Sequence, residues 1–188
     1  MTGSEIPRQM VFAEAGPSNT EATLDLAVER AAQLGIEHLV IATSTGATAL
    51  EAAKHYDGTV IAVTLSAGHW DKYCAPDPEI IAECRDRGVH VLTATHTLLG
   101  GMDAAAREIG GLCAAEIIAR TYYTICQGAK VAVECALMAA DAGLLDMQAE
   151  AISIAGTGEG ADTALVIRPA FSNTFFDLRV REILAKPR

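Results

Sequence analysis

Basic residues are scarce. Lysine and arginine number 14 against 24 aspartates and glutamates, giving a formal net charge of −10. So acidic a chain is poorly suited to a phosphate backbone or an anionic membrane, which excludes nucleic acid and membrane as main partners. Long apolar runs are missing as well: no stretch is long enough to span a bilayer, and the first residues lack the apolar core of a secretion signal. The expectation is a cytoplasmic protein. The cysteines, at 74, 84, 113, 126 and 135, offer neither a Cys-x-x-Cys pair nor zinc-ligand spacing, so no metal site is expected. Their odd number, without a secretion signal, points to reduced thiols. Cys74 and Cys113 have no apparent histidine partner, which argues against a cysteine nucleophile. No linker, fixed-period repeat or compositional break divides the chain, so residues 1–188 read as one domain.

What the chain does have is apolar residues, at 51%, ordered as alternating strands and helices. Val11 to Ala13 reads as a short edge strand. Ser18 and Glu21 have capping-box spacing, and Leu24, Ala27, Val28, Ala31 and Leu34 form one helix stripe that stops at Gly35. Leu39 to Ala42 is a buried strand, Thr59 to Thr64 a second, and Val89 to Thr93 a third. Asp77-Pro78 caps the helix between the last two. Such alternation implies a parallel sheet with right-handed crossovers. A short helix follows between Gly100-Gly101 and Gly110-Gly111, then a longer one from Leu112 towards Cys126, with Gly128 as a stop. Ala129 to Ala142 is a nearly all-apolar helix whose Lys130, Glu134 and Asp141 share a face. A solvated stripe explains those three; a functional carboxylate at Glu134 is the alternative. Strands at Ala151–Ala155 and Ala164–Ile167 are joined by too few residues for a parallel crossover, so the last strand runs antiparallel.

Two turns carry candidate chemistry. The first is Thr43-Ser44-Thr45-Gly46-Ala47-Thr48, where a buried strand meets a helix start. Unpaired N–H groups and the partial positive charge there attract an anion. Gly46 lacks the Cβ that would keep a phosphate from the backbone, and Thr43, Ser44, Thr45 and Thr48 supply hydroxyls. A plain helix cap at Thr45 would use the same residues. The second is the hairpin loop Gly156-Thr157-Gly158-Glu159-Gly160-Ala161-Asp162-Thr163. It is not a dinucleotide fingerprint, because the third glycine is misplaced and a strand follows. Its N–H groups with Thr157 and Thr163 could form a neutral anion nest. His96, just past a strand's carboxyl end, is placed for ligand contact or proton transfer, or is simply a loop histidine. Trp70, the single tryptophan, stacks on a planar ligand or roofs the core. Asn19 and Thr20 serve a ligand or a helix cap.

The Thr43–Thr48 turn resembles the Thr-x-Ser-Gly-x-Ser-Ala turn of the pyruvate kinase C-terminal domain, with Thr45 and Thr48 for the two serines. The likeness continues through Lys54-His55-Tyr56 to Val60-Ile61-Ala62-Val63-Thr64. From Phe12 to Arg188 the chain is still more similar to small stand-alone proteins of archaea and some bacteria built on that domain alone. That similarity rests on Gly16-Pro17, Asn19-Thr20, Thr95-His96, Gln127-Gly128, Lys130-Val131, Met138 to Gly143, Gly156 to Gly158, Gly160 to Ala164 and Phe175-Phe176-Asp177. The resemblance implies a three-layer α/β/α fold with a five-stranded sheet in the order 3-2-1-4-5, counting from Leu39–Ala42. It implies a ligand phosphate at the Thr43 turn, covered by the Gly156 loop. The kinase loop's Trp-Arg pair is absent and Glu159 is acidic, which favours a ligand with one phosphate. The stand-alone family suggests FMN as cofactor, held by Thr43, Ser44, Thr45, Gly46, Thr48, His96, Gly156, Thr157, Gly158, Gly160 and Thr163. Pyruvate kinase activity is not expected, because the barrel that carries its phosphoryl-transfer site is missing. A flavin-dependent enzyme with His96 or Glu134 in proton transfer, and a metabolite-sensing subunit, are the alternatives. The apolar helices from Leu112 to Ala142 suggest a homo-oligomer, expected as a dimer.

Overall fold

The computed structural model describes residues 8–188, so the first seven residues of the expected domain lie outside the described residues. A seven-stranded sheet organises them. Strand β1 is Met10–Phe12, β2 His38–Ala42, β3 Thr59–Thr64, β4 His90–Thr93, β5 Ala151–Ala155, β6 Thr163–Arg168 and β7 Arg179–Pro187. The order across the sheet is β1-β7-β6-β5-β2-β3-β4. Within it, β4-β3-β2-β5-β6 is the order expected from the resemblance, and β6 runs antiparallel to β5 as its short connection requires. The count of five needs correcting: β7 adds beside β6, antiparallel to it, and β1 pairs in parallel with β7. Only β6 therefore opposes the common strand direction.

Alternate residues of the central strands face two separate helical layers, as a period of two dictates. Leu39 and Ile41 of β2, with Ile152 and Ile154 of β5, pack with helices α1 (Thr20–Leu34), α2 (Ala47–Ala52) and α3 (Pro78–Asp86). Val40, Ala151 and Ala155 face the other way, towards α6 (Gln127–Asp141). Helix α5 (Ala114–Tyr123) flanks α6 on that side, and α4 (Gly101–Glu108) precedes it in the chain.

Several helix ends follow their local signals. Gly35 closes α1 in the left-handed region at φ 67°. The Asp77 carboxylate accepts from the N–H groups of Glu79 and Ile80, with Pro78 opening α3. Others differ. Ser18 and Glu21 form no capping box: a 3-10 turn over Pro17–Asn19 leads into α1, and Asn19 donates its side-chain amide back to the Glu14 carbonyl. Gly128 is not a stop but the second residue of α6, where an added Cβ would come within 2.1 Å of Thr163 Oγ1. The glycine lets α6 begin hard against β6. From Gly128 to Ala140 all but one residue of α6 is buried, so the α6 part of the expected self-association surface is core. What remains open is on and beside α5, where Leu112, Ile117 and Tyr123 are exposed.

Candidate functional site

All the candidate loops leave the carboxyl edge of the parallel strands. In register, Ile41 of β2 stands beside Ile154 of β5. The Thr43–Thr48 turn and the Gly156–Thr163 loop therefore depart side by side. This is also where strand order reverses: β3 and β4 lie on one flank of β2, and β5 on the other. Open α/β sheets form a crevice at such a point, because successive connections diverge to opposite faces.

The first turn is tightly drawn. Thr43 donates its N–H to the Val63 carbonyl of β3 at 2.9 Å. Its hydroxyl accepts from Gly46 N–H, and Thr45 Oγ1 accepts from Ala47 N–H at 3.3 Å. The N–H groups of Ser44, Thr45 and Thr48 have no acceptor among the described residues. Ser44 and Thr48 are half-buried. The reason for Gly46 differs from the sequence-based one. Its φ is +106°, and a Cβ there would meet Ile80 Cγ2 at 2.9 Å and Ile81 Cδ1 at 3.0 Å. The missing side chain makes room for α3. Asp77 N–H donates to the Thr45 carbonyl at 3.0 Å, which ties the turn to the α3 cap.

The glycine loop already holds an anion of its own. Asp162 is fully buried, and its Oδ2 accepts from the N–H groups of Gly16 and Thr157, each at 3.1 Å. Its Oδ1 accepts from the Thr163 hydroxyl at 2.8 Å. Thr157 N–H and the Thr163 hydroxyl, two expected nest donors, are thus engaged with Asp162. The Thr157 hydroxyl is buried and has no partner among the described residues. Gly156 and Gly160 serve close packing: a Cβ on Gly156 would meet the Gly160 carbonyl at 2.4 Å, and one on Gly160 would meet Thr20 Oγ1 at 2.4 Å. Thr20 itself accepts from Ala161 N–H and so supports the loop, whereas the Asn19 amide goes to the Glu14 carbonyl. Gly158 and Glu159 are exposed. Asp162→Ala should lower stability by about 1–3 kcal/mol, because the N–H groups of Gly16 and Thr157 would lose their acceptor. Urea denaturation with circular dichroism reads this directly.

His96 lies further along the edge, after β4, and does not join these two turns. It joins Glu134 instead. Glu134 Oε1 accepts from the N–H groups of Leu98 and Leu99, at 2.8 and 3.0 Å. Oε2 accepts from Lys130 Nζ, one helical turn away, and lies 3.3 Å from His96 Nδ1. Lys130 and Glu134 are 4% and 1% exposed, so the expected solvated stripe is overturned for both. The loop from Ala94 to Gly100 folds over that face of α6. Asp141 alone stays exposed, accepting from Ser172 N–H. Burial by itself raises the Glu134 pKa, but the His96 hydrogen bond and the Lys130 charge outweigh it and hold it at about 2. The carboxylate is ionised at any physiological pH. Sequence reading placed Lys130 on a solvated stripe and gave Asp162 no role; for Lys130, a charged i, i+4 pair inside so apolar a helix was the available signal.

His69 follows β3, its ring centroid 6.1 Å from that of His96, and its Nδ1 bonds Ser66 Oγ at 2.8 Å. Trp70 donates Nε1–H to the Leu65 carbonyl at 2.8 Å. That bond fixes the indole against its own loop. At the opposite edge, a groove of about 500 Å³ is lined by Arg168, Arg179 and Arg181, with Arg181 held by Glu150 at 3.2 Å. Among the described residues, no group of three His, Cys, Asp or Glu side chains could hold a metal, and no helix is long and apolar enough to cross a membrane.

The family model of the pyruvate kinase alpha/beta domain matches residues 21–167. The chain belongs to that family. The match begins in the first turn of α1 and ends near the close of β6, so it includes both turns and the Glu134 cluster. In this pyruvate kinase alpha/beta domain, β1 and β7 lie beyond the matched residues.

Proposed function

We propose that this domain binds a phosphorylated small molecule, FMN, at the carboxyl edge of its sheet. The observation that carries the reading is the pairing of two turns at the reversal point. One of them keeps the N–H groups of Ser44, Thr45 and Thr48 without an internal acceptor. Such a cluster costs free energy if dry and unpaired, and a phosphate satisfies it. Gly46 shapes the turn, while Ser44, Thr45 and Thr48 supply the donors. The isoalloxazine ring would lie towards the loops after β3 and β4, near His96 and Trp70. FMN itself comes from the resemblance to the stand-alone family.

FMN titration by fluorescence, with riboflavin in parallel, tests the reading. FMN should bind much more tightly, because riboflavin lacks the phosphate. Thr48→Val keeps the shape and removes one hydroxyl, so FMN affinity should fall by about 1.5–3 kcal/mol, roughly ten- to a hundredfold. Equal affinity for the two flavins would remove the phosphate cradle. A second reading, a flavin-dependent oxidoreductase, is favoured by the Lys130–Glu134–His96 chain. Turnover of reduced nicotinamide with a defined acceptor would place it first; binding without turnover would leave a carrier or a metabolite-sensing subunit.

A further inference from the structure

We propose that His96 is the ligand-contacting hydrogen-bond acceptor of this edge, locked in one tautomer by Glu134 and Lys130. The placement of the ligand's ring rests on the function proposed above; the tautomer does not. An ionised carboxylate only accepts, and Glu134 is ionised. Its four near neighbours are Leu98 N–H, Leu99 N–H, Lys130 Nζ and His96 Nδ1. Facing Oε2, Nδ1 must carry a proton. In the neutral ring that leaves Nε2 with a lone pair, and the choice is made by the protein rather than by solvent.

Nε2 is buried and has no hydrogen-bond partner among the described residues. Such an acceptor is costly to leave unmet. The His96 side chain is still 17% exposed, so one edge of the ring reaches the surface. The groups that face it are Lys130 and Glu134 from α6 and His69 from the loop after β3. The segment from Ala67 to Pro76 is largely exposed, so His69 can give way to a ligand without loss of core. The group that fits at Nε2 is therefore an N–H or O–H donor on an uncharged portion of the ligand. A carboxylate or phosphate oxygen would meet a lone pair. In FMN the matching group is the imide N–H of the ring, which lies far from the phosphate. Lys130 and Glu134 act as positioning residues, fixing the ring and its proton without touching the ligand.

Two measurements test this on the full chain. Nitrogen chemical shifts of the histidine-labelled, ligand-free protein at neutral pH should show His96 as the Nδ1–H tautomer. Glu134→Gln places an amide NH2 where Oε2 faced Nδ1, so it should shift His96 towards the Nε2–H tautomer. An Nε2–H tautomer in the parent overturns the proposal. The second measurement compares FMN with an analogue methylated at its imide nitrogen. The parent should prefer FMN by roughly five- to tenfold, the range of one neutral hydrogen bond. His96→Phe, which offers no acceptor, should bring that preference close to one while riboflavin discrimination persists. A preference unchanged in His96→Phe overturns the contact even if FMN binds tightly. If FMN does not bind at all, the cofactor reading fails by itself. The tautomer result then decides the His96 proposal.

Discussion

Glu134→Gln will lose about 3–5 kcal/mol of stability, on the order of 10 °C in Tm. The Gln oxygen can still accept from Leu98 and Leu99, so the backbone contacts survive. What fails is charge compensation: Lys130, 4% exposed, would face an amide NH2 in place of a carboxylate. A single buried unpaired ammonium costs several kcal/mol, a large part of a domain's net stability. Lys130→Met in the Glu134→Gln background should recover more than half of the loss, since no charge then remains to desolvate. The same pair predicts an acid limb. With its pKa held at about 2 against an ordinary 4.5, Glu134 contributes stability that is complete above the ordinary value. That contribution disappears as pH falls from about 4.5 through 2, for a total of about 3 kcal/mol. The double variant should lack this share of the acid slope. Urea midpoints between pH 6 and pH 2.5 measure both effects. Additive single and double variants would show that Lys130 and Glu134 do not depend on each other.

The Lys130–Glu134 pair also shows where sequence stops being legible. Their spacing places both on one face of α6, and periodicity says no more than that. Whether the face meets water or another segment depends on the Ala94–Gly100 loop, which is distant in sequence and has no regular period. The central strands were legible because β2, β3 and β5 are buried on both faces and read as mainly apolar runs, with Ser153 inside β5. Strand β7 is different. Its residues Arg179-Val180-Arg181-Glu182 alternate only briefly, and register shifts against β6 between Ala164 and Leu165 and between Val166 and Ile167 break the period. The two turns were legible as a strand followed by glycine and hydroxyls. Asp162 was not, because an acidic residue in a glycine loop, with Glu159 three residues before it, gives no sign that backbone N–H groups of Gly16 and Thr157 will enclose it.

Gly46 gives the second large effect, and here the structure reverses the sense of the substitution. Read as an anion cradle, the turn should accept Gly46→Asp with loss of ligand and little loss of fold. The geometry predicts the opposite order. Any L residue at φ +106° is strained, at a cost of about 1–3 kcal/mol. Its Cβ would also press on Ile80 and Ile81, and overpacking of a buried contact costs a further 1–3 kcal/mol. For aspartate, a carboxylate at a buried position beside two isoleucines adds a desolvation term. Gly46→Asp should therefore lose more than about 3 kcal/mol, and Gly46→Ala somewhat less. Ile80→Ala relieves the steric part alone. In that background the Gly46→Ala penalty should shrink by about half and the φ strain should remain. Because α2 is anchored through this turn to the α3 cap, the loosened segment would include Ser44 to Thr48, and phosphate affinity would fall with it. Loss of ligand in Gly46→Asp thus cannot identify an anion site, whereas Thr48→Val leaves the backbone untouched. Chemical denaturation of the parent, Gly46→Ala, Ile80→Ala and the double variant separates strain from contact. A Gly46→Ala midpoint within 0.5 kcal/mol of the parent would mean that the turn yields freely and that Ile80 and Ile81 do not hold it.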